Sequence, residues 1–218
     1  MENVEKLSDN RRSLYRFAFA LALFTIAYNL IEGIFSIYFG YSDESLALFG
    51  FGIDSFIEVI SGIGIASMII RIQQNPNSNR DNFERTALKI TGTAFYFLVV
   101  GLVTTSIYNI WTGHKPETTF WGIIVSIVSI AIMWALIIFK KKVGRELKSE
   151  AILADANCTK VCFYMSIVLL ISSLTYALTS FAYIDSIGTL GLAYFSFSEG
   201  KECFEKAASD KICSCDHD

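Results

Sequence analysis

Hydrophobic residues along this chain of 218 residues gather into six long runs, which shorter polar stretches separate. The six runs cover residues 17–39, 46–70, 90–111, 120–139, 154–177 and 182–198. Runs of about 20 apolar residues match the length of a helix that crosses the hydrocarbon core of a bilayer. The pattern therefore predicts six transmembrane helices. The first run is longer than the apolar part of a signal peptide, so we expect it to be retained.

Basic residues alternate along the chain in a way that predicts its orientation. Of the 18 Lys and Arg, 16 lie before the first run, between the second and third, between the fourth and fifth, or after the sixth. Loops rich in Lys and Arg stay in the cytoplasm. We therefore expect an all-α integral membrane protein with six transmembrane helices and both termini cytoplasmic. Its predicted parts are an N-terminal segment (1–13), a six-helix transmembrane domain (14–200) and a short tail (201–218).

Composition agrees with this class of protein and argues against an enzyme. The chain is 53% hydrophobic and only 18% charged, with a mean hydropathy of +0.45, which is too apolar for a soluble domain. Its two histidines, His114 and His217, both lie outside the predicted spans. We find no nucleophile with a base and an orienting partner, and no glycine loop that could cradle a phosphate. No organic cofactor and no nucleic-acid partner are expected.

Two carboxylates interrupt the second run, in the stretch FGIDSFIEVISG at residues 51–62. Asp54 and Glu58 are four residues apart, so both side chains leave the same face of a helix. Two carboxylates held close in a low dielectric cannot both stay ionised without compensation. The pair is therefore interpreted as a cation site, a proton site, or both in turn. The structural alternative is a pair that neighbouring Ser, Asn or Lys side chains satisfy.

Cysteines with the same spacing occur in the fifth run, in the stretch ADANCTKVC. The thiols of Cys158 and Cys162 project to one side of the helix and would suit a soft metal ion. Taken alone, such a pair is more often a matter of packing than of metal binding, because cysteine is a common buried residue. Lys160 should point away from these thiols, and its partner cannot be identified from the sequence. Asp155 is placed nearer the membrane interface.

Further candidate residues lie in the tail and in the first run. Cys213, Cys215 and His217 fall within five residues of one another and could capture metal, or could belong to a polar end with incidental cysteines. Asn29 and Glu32 share one face of the first helix. They could line the same path as the acidic pair or interact with Lys160.

The second and fifth runs resemble those of the cation diffusion facilitator family of metal transporters. In that family the second span carries two acids four residues apart, after a Gly-Ser-Leu-Ala-Leu-like start. The stretch DESLALFGFGIDSFIE fits this pattern and places Asp54 and Glu58 at the metal positions. The stretch YIDSIGTLGLAYFSFSEG resembles the family's sixth span, and the likeness extends over residues 15–205.

The resemblance also gives the cysteine pair a role. The family's fifth span carries two metal ligands four residues apart, commonly His and Asp, shortly after an Ala-Asp step. Counted from Ala154 and Asp155, these positions fall on Cys158 and Cys162. A site of two carboxylates and two thiolates should prefer softer ions, with zinc and cadmium first, mercury next, and manganese or magnesium last. The family usually continues into a cytoplasmic domain, which we expect the short tail to replace.

What the resemblance implies is a carrier in a multi-pass cell membrane, which we expect to be a prokaryotic inner membrane. It would export divalent metal ions from the cytoplasm in exchange for protons, and would form a homodimer through its transmembrane helices. One alternative is a carrier that takes up mercury or another soft ion. Another is a membrane metal sensor or accessory subunit that binds ions without moving them.

Overall fold

The computed structural model describes residues 2–42, 45–74, 80–112, 120–179 and 183–209. These residues form six α-helices, and no strand occurs among them. The helices are α1 Glu2–Ser42, α2 Leu46–Gln74, α3 Arg80–Thr112, α4 Phe120–Leu147, α5 Glu150–Thr179 and α6 Tyr183–Ala208. The predicted all-α fold is confirmed.

Five of the helices, α1 to α5, contain a stretch long and apolar enough to cross a membrane. Helix α6 covers the predicted sixth span, but its second half carries several charged residues. Helix α2 is the most enclosed of the five, since 61% of its most apolar stretch is buried, against 28–39% in the other four. The helix that carries the acidic pair is therefore the central one.

Every helix is longer than the apolar run that predicted it. Basic residues that the sequence placed in loops lie instead in the helix ends, and α1 begins at Glu2, within the predicted N-terminal segment. The helices α2, α4 and α6 finish at the same end of the bundle, and we call this end the basic end. Arg71, Arg145 and Lys206 lie in the last turns of these three helices.

The helices associate mainly in three pairs, in which α1 packs on α2, α3 on α6, and α4 on α5. Glycines bring α1 and α2 especially close together. A Cβ atom added at Gly52 would lie 2.9 Å from the backbone nitrogen of Ile37 and 3.1 Å from the carbonyl oxygen of Gly33. Such small residues allow helix backbones to approach closely in a membrane. This contact fixes the position of α2, and with it that of the acidic pair.

A tight turn at the basic end joins α4 to α5. Lys148 adopts a left-handed conformation with a φ of 49°, and the hydroxyl of Ser149 accepts a hydrogen bond of 3.4 Å from the backbone of Ile152. The left-handed residue ends α4, and the serine caps the start of α5. The two helices run back along each other from this turn. Lys140 of α4 and Asp155 of α5 lie at similar distances from it and therefore come side by side.

The end of α6 is tied to its neighbours by polar contacts. Arg85 of α3 donates hydrogen bonds to the carbonyl oxygens of Ala207 and Ser209, at 2.9 and 2.7 Å. Lys206 forms an ion pair of 3.0 Å with Glu150 at the start of α5. Both contacts satisfy or neutralise groups at helix ends, where backbone carbonyls lack partners. The last turn of α6 is thus held at the basic end.

Candidate metal site in the bundle core

The acidic pair of α2 lies in the interior of the bundle. Asp54 is 1% exposed and Glu58 is 0% exposed. Within the described part of the chain, neither oxygen of Asp54 has a hydrogen-bond partner, and Oε2 of Glu58 has none either. Buried carboxylate oxygens without partners are costly and uncommon. Three of them on one helix face make this position a candidate site for a cation or a proton.

The cysteines of α5 face the same region. Cys158 and Cys162 are both buried free thiols. Cys162 lies within electrostatic range of both Asp54 and Glu58, and Cys158 interacts with Cys162. The four residues that the sequence predicts as a transport site are thus brought together between α2 and α5. In the described residues, however, no three His, Cys, Asp or Glu side chains lie close enough to hold one metal ion.

A buried lysine reaches this region from α4. Lys140 is only 2% exposed, and its Nζ atom lies 2.8 Å from Oδ2 of Asp155 and 3.8 Å from Oε1 of Glu58. The ammonium also donates a 2.8 Å hydrogen bond to the hydroxyl of Thr159. That hydroxyl in turn donates to Oε1 of Glu58 at 2.5 Å. One oxygen of Glu58 is therefore committed to protein contacts while the other is not.

This polar network corrects one expectation from the sequence and shows the surroundings of Asp155. Asp155 is 1% exposed and accepts a 3.0 Å hydrogen bond from Ser61 in addition to its ion pair. Ser61 also forms a 3.1 Å hydrogen bond with Thr91 of α3. Lys140, counted as a loop charge, is an interior residue of α4. Together these side chains link α2, α3, α4 and α5 on the side of the site that faces the basic end.

The candidate path residues of α1 lie against α2. Glu32 accepts hydrogen bonds from the hydroxyls of Tyr28, at 2.7 Å, and of Ser55 of α2, at 3.0 Å. It also interacts electrostatically with Asp54. Asn29 is buried and donates a 2.9 Å hydrogen bond to the backbone of α1, but its side-chain oxygen has no partner in the described structure. Glu32 therefore neighbours the acidic pair, and its predicted alternative partner, Lys160, lies elsewhere.

Lys160 points away from the cysteines, as its position on the helix requires. Its Nζ atom lies over the rings of Tyr164 and Phe195, at 5.5 and 5.6 Å from their centroids. It also interacts electrostatically with Glu199 of α6. Cation–π contact of this kind gives a partly buried ammonium favourable surroundings. The partner that the sequence could not identify is thus an aromatic pair between α5 and α6.

Of the three remaining cysteines, Cys203 lies within the described residues. Cys203 of α6 lies beyond the predicted sixth span and is buried, and this burial raises the pKa of its thiol to about 12. A thiol of this kind stays protonated and acts as a small packing residue. The tail residues Cys213, Cys215 and His217 lie outside the described residues.

A cleft borders Asp54 in the half of the bundle opposite the basic end. It holds about 570 Å³ of space, including its open mouth, between α2, α3, α5 and α6. Its wall on α3 extends from Leu98 to Asn109 and includes Thr105 and Ser106. Asp54 lies in the opposite wall, whereas Glu58 does not line this cleft. The cleft therefore borders Asp54, whereas the Lys140 network contacts Glu58.

The chain also matches a family model over most of its length. The model describes a cation efflux transmembrane domain, and the match covers residues 18–210. The matched region contains α2 to α6 and most of α1. It therefore includes the acidic pair, the cysteine pair and the lysine network.

Proposed function

Since the chain belongs to the cation efflux family of membrane transporters, we propose that it exports a soft divalent metal ion, zinc or cadmium, in exchange for protons. The family consists of transporters, so an enzymatic role is not part of this proposal. One observation carries the location of the site. Three buried oxygens of Asp54 and Glu58 have no partner among the described residues and lie beside the thiols of Cys158 and Cys162.

In this proposal the four side chains bind the ion together at one stage of the cycle. Thiols ligate metal as thiolates, so Cys158 and Cys162 release protons when the ion enters. Two sulfur and two oxygen ligands can complete the four-coordinate site that zinc prefers. Since no three of these groups lie within coordinating distance here, the bound state requires side chains or helices to move inward. Such closure would be part of the transport cycle.

Exchange with protons follows from competition for the same atoms. A dication and protons cannot occupy the same carboxylates and thiolates at once, so binding of one displaces the other. If the site opens alternately to the two sides of the membrane, this exclusion couples the two fluxes. The cleft beside Asp54 supports an arrangement that is open toward the end opposite the basic end.

The direction of transport depends on which end faces the cytoplasm. Basic residues in the last turns of α2, α4 and α6 support a cytoplasmic basic end, because such residues favour that side of the membrane. The cleft would then open to the outside. Metal would enter from the cytoplasm when the Lys140 network opens and would leave through the cleft.

Metal flux into proteoliposomes with an imposed pH gradient tests this function. Zinc, cadmium, mercury, iron and manganese are compared in the wild type, in Cys158→Ser/Cys162→Ser, and in Cys203→Ser as the matched control. We expect flux of zinc or cadmium that depends on the gradient, collapses in the double variant and persists in the control.

The other outcomes separate the alternative functions. Undiminished flux in the double variant would keep the carrier and remove the cysteines from its site. Metal binding without flux, in protein shown to be folded, would indicate a sensor or accessory subunit. Metal accumulation in cells that express the protein, in place of resistance, would indicate uptake.

A further inference from the structure

Lys140 lies where its positive charge would oppose the binding of a metal ion to Glu58. Its ammonium lies 3.8 Å from Oε1 of Glu58, inside the bundle, where water does not screen the two charges. A dication coordinated by Glu58 would bring a second positive charge next to this ammonium. Like charges at such a distance repel each other strongly in a low dielectric. The ion and Lys140 therefore compete for one carboxylate.

Asp155 limits how strongly Lys140 interacts with Glu58. Its Oδ2 atom lies 2.8 Å from the lysine Nζ, which is 1.0 Å closer than Oε1 of Glu58 is. Ser61 donates to the other oxygen of Asp155, so this carboxylate is fixed in place. The ammonium thus has its main partner in Asp155 and a second, weaker one in Glu58. Any loss of Asp155 would release Lys140 toward Glu58.

Thr159 transmits the same interaction through a hydrogen-bonded chain. Its hydroxyl accepts from Lys140 at 2.8 Å and donates to Oε1 of Glu58 at 2.5 Å. Glu58 is therefore held from the basic end through one oxygen, while its other oxygen has no hydrogen-bond partner in the part of the chain that the structure describes. Full use of Glu58 as a metal ligand requires this chain to loosen.

We propose that Lys140 is a positioning residue that acts as a tethered competitor of the transported cation, held by Asp155 and interacting with Glu58 from the basic end. This inference rests on the proposed function, because it concerns the affinity of the same site. In the arrangement described here Lys140 occupies Glu58 in part and keeps the basic end closed. A dication that enters from that end displaces the ammonium fully onto Asp155.

Equilibrium binding of zinc and cadmium to purified protein in detergent tests the proposal with two variants of opposite expected effect. Asp155→Asn removes the main partner of Lys140, so the ammonium moves to Glu58 and metal affinity falls by about tenfold. Lys140→Met/Asp155→Asn removes the competitor together with its counter-charge, so affinity rises above that of the wild type by about tenfold. Lys140→Arg keeps the charge and should stay near the wild type.

Lys142→Ala is the matched control, because this lysine lies on the same helix and is exposed. It should leave metal affinity unchanged. If Lys140 only supported the fold, Asp155→Asn and the double variant would shift affinity in the same direction, or not at all, and the inference would be wrong. The double variant removes both charges of the 2.8 Å ion pair together, so it remains informative if single variants fold poorly.

The result also separates this inference from the proposed function. If folded wild-type protein binds neither zinc nor cadmium, the proposed function fails first. If it binds them and the two variants do not shift affinity in opposite directions, the proposed site stands and the role of Lys140 is refuted.

Discussion

Asp54 and Glu58 leave the same face of α2 one turn apart, yet within the described residues Glu58 accepts a hydrogen bond and Asp54 accepts none. Glu58 is held by Thr159 and lies near Lys140, whereas both oxygens of Asp54 are buried without partners among the described residues. The two carboxylates therefore differ in what they contribute to the fold. Asp54 is the carboxylate whose two oxygens remain available to a ligand.

The substitution Asp54→Asn should separate stability from function. It removes no hydrogen bond that the structure shows, and it removes the cost of burying a charge. We expect the midpoint of thermal unfolding in detergent without metal to be unchanged or higher, while metal flux is lost. Glu58→Gln should lower the midpoint, because it weakens the contacts to Thr159 and Lys140. The free energy of unfolding should fall by on the order of 1–3 kcal/mol. A midpoint as low in Asp54→Asn as in Glu58→Gln would contradict this difference.

Added metal provides a second comparison for the same protein. A ligand that binds only the folded state raises stability in proportion to the logarithm of its concentration above the dissociation constant. Zinc or cadmium should therefore raise the unfolding midpoint of the wild type and leave that of Asp54→Asn unchanged. An equal rise in both proteins would show that the ion binds elsewhere.

Close packing of α1 on α2 gives a prediction for Gly52. Gly52→Ala should lower the stability of the bundle by about 1–3 kcal/mol, because the new Cβ would meet the backbone of Ile37 at 2.9 Å. This loss should exceed the gain of about 1 kcal/mol from the higher helix propensity of alanine. Gly191→Ala is the control, since no described atom lies within 4 Å of its added Cβ. Thermal unfolding in detergent measures both, and a Gly52→Ala protein as stable as the wild type would refute the close contact.

Local helical geometry explains which parts of the site were predictable. Residues four apart share a helix face whatever the helix packs against. The sequence therefore placed Asp54 beside Glu58, and Cys158 beside Cys162, before any tertiary contact was known. The helices were predictable for a similar reason, because the length of an apolar run can be read from the sequence without any tertiary contact. That the two pairs face each other came from the family resemblance rather than from these local rules.

Lys140 was missed because a general rule for charge outweighed a local pattern. A lysine at the start of a basic run is ordinarily a loop or interface residue. The interior face of α4 nevertheless contains Met133, Leu136 and Val143, at spacings of three and four that also include position 140. Extending that spacing beyond the apolar run would have put Lys140 on the buried face. Its partners on α2 and α5 depend on how the helices cross, which one sequence does not specify.

The same limit applies to Glu32. The sequence showed that it shares a face with Asn29, but left two possible partners open. The structure pairs it with Ser55, because the close approach of α1 to α2 brings these two side chains within 3.0 Å. This approach depends on glycines at the contact, so the partner of Glu32 follows from packing rather than from its own neighbours in sequence.

The predicted tail ligands can be tested without disturbing the bundle. Truncation after Ser209 keeps the carbonyl oxygens that Arg85 binds and removes Cys213, Cys215 and His217. If these residues collect metal, apparent affinity in transport should weaken about threefold to tenfold while maximal flux stays the same, because only local metal concentration changes. Replacement of the three residues by Ser, Ser and Ala in the full chain controls for length. Loss of all flux from folded, truncated protein would contradict this role.

The cleft beside Asp54 predicts different effects for two neighbouring threonines of α3. Thr105 lines the cleft and lies 3.5 Å from a Cβ placed on Gly50, whereas Thr104 is exposed on the outside of the bundle. Thr105→Trp should fill the cleft and lower metal flux at least about tenfold, because ions must pass along it in each cycle. Equilibrium metal binding in detergent should stay within about twofold, since the proposed ligands are untouched. Thr104→Trp adds the same side chain outside the cleft and should transport like the wild type, and equal losses in both variants would show that the cleft is not the path.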